Sequence, residues 1–140
     1  MGKQSVNTEL SFALYGAANR MARMHKPFLE PMGLTFPQYL VMLELLSGPP
    51  LSVGALGARL GMDGGTIGPL LKRLVSAGLV IRSRDPADER RVLVDLTPQG
   101  RALEVEMRSI TGKLKAACQL NEKGLEDFRR TLESFAIPAA

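Results

Sequence analysis

Tryptophan is missing from this 140-residue chain, and histidine and cysteine occur once each, as His25 and Cys118. A single cysteine excludes an intrachain disulfide and suits a reducing compartment. One histidine and one cysteine leave a single chain short of the ligands a zinc site needs, a site shared between two copies staying open. No apolar run approaches the length that spans a bilayer, and no basic cluster precedes an apolar stretch near Met1. Low-complexity tracts are absent as well. The expectation is a soluble cytoplasmic protein with no membrane partner, no metal and no cofactor.

What is present is ordinary globular composition, 45% hydrophobic and 23% charged, in a length that makes one domain, residues 1–140. The net charge is +4, which permits an anionic partner without naming one. Its distribution says more. Between Lys72 and Arg91 stand six basic residues against Asp85, Asp88 and Glu89, whereas the two ends are nearly balanced.

Helix punctuation organises the chain. In "LTFPQYLVMLELLSGPP", Thr35 and Gln38 form a capping box, Pro37 lies in the first turn, and Gly48-Pro49-Pro50 ends the helix. A short helix follows between Ser52 as cap and Gly61 as stop. "MDGGTIGPLLKRLVSAG" then restarts almost at once, so the pair reads as a helix-turn-helix. "LVIRSR" and "RVLVDLT" change to the period of strands, the second placing Val92, Val94 and Leu96 on one face, with a charged turn, "DPADER", between them. Thr97-Pro98 opens a long helix whose seam is Leu103, Met107, Ile110, Leu114 and Ala117. Asn121 caps a last one with an apolar face of Leu125, Phe128, Leu132 and Phe135. The fold class is therefore mainly α with a small β-hairpin: a winged helix-turn-helix over residues 35–97, with terminal helices over 8–30 and 98–136. Those ends carry more apolar stripe than a compact reader of DNA needs, which implies a symmetric homodimer.

Double-stranded DNA is the partner this order of elements suggests. The second helix of a helix-turn-helix enters the major groove by its N-terminal end, here Gly64, Gly65, Thr66 and Gly68. Pro69 has no N–H and is harmless only in a first turn, so the regular helix is expected to begin near Thr66. Caps and turn glycines occur at any helix start, which keeps a purely structural reading of this segment open. Ile67, Leu71 and Leu74 face the core by spacing. Lys72 and Arg73 are left to touch phosphates. Arg90 at the hairpin suits the narrow minor groove, and Asp88 is placed to hold its guanidinium, or that of Arg82 or Arg84; Arg91 adds to the same charge.

These segments resemble the MarR (multiple antibiotic resistance regulator) family of bacterial transcription regulators. "DERRVLVDLTPQG" matches that family's wing signature, while "LSFALY", "KPFLEPMGLTFPQYLVML" and "DGGTIGPLLKRLVSAGLV" are similar to its organic hydroperoxide resistance branch. The resemblance runs from about Leu10 to Leu114. It implies a homodimeric repressor on a pseudo-palindromic operator, with Thr66 and its neighbours in the major groove and Arg90 in the minor. It also implies that Ser11 stands at the branch's reactive cysteine, and that His25 and Phe36 replace two partner tyrosines while Tyr15 keeps its type. A serine hydroxyl forms no thiolate and is not oxidised by peroxide. Gly64 and Gly68 replace hydroxyl residues common in the branch.

Ser11, Tyr15 and His25 fall within about 40° of one line on the first helix, a stripe that would ordinarily be buried. Several readings stay open. With Phe36 they form a pocket for a small aromatic or phenolic ligand, His25 pairing a carboxylate. Alternatively they satisfy one another and sense nothing. Ser11 is also what an engineered cysteine replacement would look like, although the changes at His25 and Phe36 favour natural divergence. An enzyme using Ser11 and His25 lacks a carboxylate to orient the imidazole and a strained turn for the serine, so no catalytic residue is expected. Cys118 is the candidate for redox sensing, by a bond between two copies; its structural alternative is a small inert core residue.

Overall fold

The computed structural model describes residues 3–117 and 121–135, with side chains from residue 9 onward. A 27-residue helix, α1 (Lys3–Leu29), leads through a single 3-10 turn (Glu30–Met32) into α2 (Phe36–Leu46). Then come a two-residue strand β1 (Leu51–Ser52), α3 (Val53–Leu60), α4 (Gly64–Ser76), β2 (Val80–Asp85) and β3 (Asp88–Leu96). Three helices close the chain: α5 (Pro98–Arg101), α6 (Glu104–Ala117) and α7 (Glu122–Glu133). The protein is mostly helical with a small wing, as the sequence pattern predicts.

The caps are where the residue types put them. The Thr35 hydroxyl accepts from the Gln38 N–H at 3.3 Å, and the Gln38 side chain accepts from the Thr35 N–H at 3.0 Å, closing the capping box. Ser52, Thr97 and Asn121 each accept from the N–H three residues on. Gly61 ends α3 at φ +65°, a conformation that a side chain disfavours. The wing is a three-stranded antiparallel sheet in the order β1-β3-β2, with Leu51 opposite Val94 and Arg82 opposite Val94 from the other side. β1 was not expected: two residues show no period, and only pairing with β3 makes them a strand.

One core unites the middle of the chain with one seam of α6. Tyr39, Val41, Met42, Leu45, Leu56, Ile67, Leu71, Leu74, Val94, Leu96, Met107 and Ile110 are all buried in it. The Tyr39 hydroxyl lies 2.8 Å from the Thr111 hydroxyl and donates to the Met107 carbonyl at 3.3 Å, tying α2 to α6. The long helix expected after Thr97 is instead two helices. The break falls at Ala102 and Leu103, just after Gly100, where α5 is pressed so close to the strand start that a Cβ would lie 2.2 Å from the Leu79 carbonyl oxygen. Ala117, expected in the seam, is exposed, whereas Met107, Ile110 and Leu114 are buried.

Candidate nucleic-acid interface

α4 begins at Gly64, two residues before the expected start. Asp63 is the reason: its Oδ1 accepts from the Thr66 N–H at 2.9 Å and organises the first turn around the glycines. Pro69 therefore sits beyond the first turn, and having no N–H it gives the Gly65 carbonyl no i→i−4 donor. Ile67, Leu70, Leu71 and Leu74 are buried. Gly64, Gly65, Thr66, Lys72 and Arg73 are exposed and Gly68 half-buried. A Cβ at Gly64 or Gly68 would meet nothing within 4 Å, so the chain's own packing does not demand glycine there.

On the wing, β2 and β3 are joined by Pro86 and Ala87 alone, the Ala87 N–H bonded to Asp85 Oδ1 at 2.9 Å. Of the three arginines offered to Asp88, the structure selects Arg90. Its Nε and backbone N–H donate to Asp88 Oδ1 at 3.1 Å each, and its Nη2 to Oδ2 at 3.4 Å. The Arg90 hydrogen bond is the main reason the Asp88 carboxyl is held below its ordinary range. The Arg90 side chain nevertheless remains 91% exposed. Arg84 turns onto the Glu89 carbonyl at 2.8 Å, and Arg82 and Arg91 are exposed beside them.

The polar residues of α1 do not come together within one chain. At 1.5 Å per residue, Ser11 and His25 stand about 21 Å apart along the helix. His25 is buried, its Nδ1 donating to the Met21 carbonyl at 2.7 Å. Its ring packs on Phe36 at a centroid distance of 4.3 Å and on Tyr39 at 5.4 Å. Tyr15 is 73% exposed and Ser11 is exposed. The expectation of a buried stripe linking Ser11, Tyr15 and His25 is thus corrected: the shared azimuth is right, but the axial separation keeps them from one cluster. A cavity of about 380 Å³ does lie beside Phe36, lined also by Arg23, Lys26, Leu29, Glu30 and Leu34. Cys118 lies outside the described residues.

Residues 32–91, which hold α2, α3, α4 and most of the wing, match the MarR family. Across 91% of the chain and 86% of its own length, an organic hydroperoxide resistance transcriptional regulator of Bacillus subtilis is 34% identical. The chain belongs to the MarR family. A further relative, the HTH-type transcriptional regulator TtmR of Methylorubrum extorquens, is 47% identical over 104 residues, 74% of this chain. The matched part spans about half, 53%, of that relative's length. Among solved structures, reduced AbfR of Staphylococcus epidermidis bound to DNA is 26% identical with a TM-score of 0.77, covering 94% of this chain and 95% of that one. These relatives are transcription regulators rather than enzymes.

Within this MarR chain, sequence reasoning missed Arg23, Lys26 and Glu30 at the cavity. Lys26 Nζ is 3.9 Å from Glu30, an exposed pair of the kind that any helix surface shows. The available signal was their three- and four-residue spacing on the turn that leads to Phe36. Among the described residues no group of His, Cys, Asp and Glu could hold a metal ion, and no helix is long and apolar enough to cross a membrane.

Proposed function

We propose that this chain acts in the cytoplasm as a dimeric repressor that binds a pseudo-palindromic operator and releases it when a small aromatic or phenolic ligand binds near the terminal helices. Residues 35–97 carry the DNA contacts, and 8–30 with 98–136 join the two copies. The observation that carries the reading is Arg90, held by Asp88 yet 91% exposed on the wing, together with the exposed Thr66, Lys72 and Arg73 of α4. Thr66 and the glycines around it meet base edges, Lys72 and Arg73 meet phosphates, and Arg90 enters the minor groove. Dimerisation is supported by apolar side chains left in solvent at both ends, Leu10, Phe12 and Tyr15 on α1 and Phe128, Leu132 and Phe135 along the α7 stripe. The 380 Å³ cavity supports the ligand: its lining is largely apolar but includes Arg23 and Lys26, and Phe36, which also lines it, packs on the buried His25.

Fluorescence anisotropy on the chain's own upstream DNA tests this. Affinity that falls steeply with salt and survives an organic hydroperoxide supports a regulator in which Ser11 has replaced the branch's reactive cysteine. Affinity indifferent to salt sinks DNA recognition. The likeness to a hydroperoxide regulator favours a second reading, in which Cys118 of each copy forms the redox switch. Release by hydroperoxide, restored by a thiol reductant and abolished in Cys118→Ala, would establish it.

A further inference from the structure

The hairpin's four arginines are sorted by their partners. Arg90 is held by Asp88, and Arg84 is spent on the Glu89 carbonyl. Neither Arg82 nor Arg91 makes a hydrogen bond or ion pair among the described residues. Arg82 stands opposite Val94 in register, so it shares a sheet face with Val80, Val94 and Leu96, all three buried. Its own side chain is exposed, on an edge strand of the sheet, whereas Val94 lies on the central one. That face opens into a cleft of about 440 Å³ walled by Ser52, Val53 and Gly54 on one side and by Arg82, Arg90 and Arg91 on the other. No carboxylate lines this cleft. The nearby acids are engaged elsewhere: Asp88 on Arg90, Asp85 on the Ala87 N–H, and Asp95 on Arg101 at 2.8 Å. Arg91 is attracted to Asp88 only at longer range, so Arg82 is the cation here with no acidic partner, and a cleft that gathers three arginines without a carboxylate favours an anion.

We propose that this cleft seats one phosphodiester of the DNA backbone, with Arg82 as its principal cation. The proposal rests on the DNA-binding reading above and assigns within it a seat, with Ser52, Val53 and Gly54 as its far wall, that sets where the wing lands without reading sequence. A free anion shares the chemistry. The backbone phosphate is the occupant argued here because the cleft is open and continuous with Arg90, so one strand of DNA can cross both.

The test measures anisotropy of the full chain on its upstream duplex and on a scrambled duplex of equal length, over a salt series. Arg82→Gln is expected to weaken both duplexes by the same factor and to make the slope of log K against log salt shallower by ~1.8, one phosphate for each copy of the dimer. Arg82→Lys restores the slope, and Arg84→Gln, whose guanidinium is turned away onto Glu89, leaves it unchanged. A slope unaltered by Arg82→Gln overturns the seat, as does a loss confined to the upstream duplex, which would make Arg82 a base reader. Displacement of DNA by inorganic phosphate beyond that of chloride at equal ionic strength, lost in Arg82→Gln, would assign the cleft to a free anion instead. Failure of the unaltered protein to bind either duplex with a salt dependence is separate: it removes the underlying reading.

Discussion

Two parts of this molecule close their accounts with water very differently. Between Thr35 and Thr97 each helix start is capped by a side chain, the apolar residues fill one core, and of the large apolar residues only Val75 and Ile81 are exposed. The first half of α1 and much of α7 leave apolar residues in solvent. Among the described residues Phe12 is 71% exposed and Phe128 52%, and Leu10, Tyr15 and Leu132 are exposed on the same two helices. The middle buries its apolar residues within a single chain, and the ends do not. Under the proposed function that division has a use: a self-sufficient reading head would be re-aimed as a unit by whatever the ends pack against.

The contrast can be broken experimentally, and the largest effect should come from the middle. Leu71 is fully buried at the centre of the core, so Leu71→Ala is expected to cost about 2–5 kcal/mol, read as a drop in the denaturant midpoint. The same chemistry on α7 should spare unfolding and strike assembly. Phe128→Ser with Leu132→Ser should yield a monomer in sedimentation velocity, with operator affinity falling about 100-fold as two-site engagement is lost. A dimer that survives this pair of changes would move the interface off α7. Thr35→Ala removes one limb of the capping box and should lower stability by about 1 kcal/mol, measured by the same unfolding experiment.

The smallest effect is expected at the wing. Asp88→Asn keeps the fold and loosens the hold on Arg90, giving a few-fold loss of operator affinity with an unchanged melting temperature. Its pH counterpart follows from the direction of the shift. Because Arg90 holds the Asp88 carboxyl below its ordinary range, the grip is present above ordinary carboxylate values and persists as the pH falls through them. It is lost only below that range. Operator binding that weakens between neutral and mildly acid pH must therefore have another cause, and Asp88→Asn should leave such a change intact.

How much of this could be read from residues alone depended on whether the cause was local. Thr35 with Gln38, Ser52, Gly61, Thr97 and Asn121 announced helix ends correctly because capping needs only neighbours within one turn. α4 starts two residues before the position that Pro69 predicts, because the Asp63 cap organises the first turn and outweighs the proline. β1 and the α5–α6 break were invisible for a different reason. Leu51–Ser52 is a strand only by virtue of Val94 and Leu93, and the helix breaks just after α5 has packed Gly100 against Leu79. Both are long-range facts. Ser11, Tyr15 and His25 show the limit most plainly. A helical wheel reports azimuth and discards height, so three residues on one line appeared as one pocket although the helix spreads them over about 21 Å.

The Asp88–Arg90 arrangement has a thermodynamic consequence for encounter. An unrestrained arginine on a hairpin samples many rotamers and must give them up when it enters a groove, an entropy loss that would weaken association. Here Nε, Nη2 and the backbone N–H of Arg90 are all fixed on one carboxylate before any duplex arrives. The ordering has been transferred from the moment of binding to the moment of folding. The wing can then meet DNA as a rigid body, and its contribution should appear in calorimetry as a smaller entropic penalty in the native protein than in Asp88→Asn.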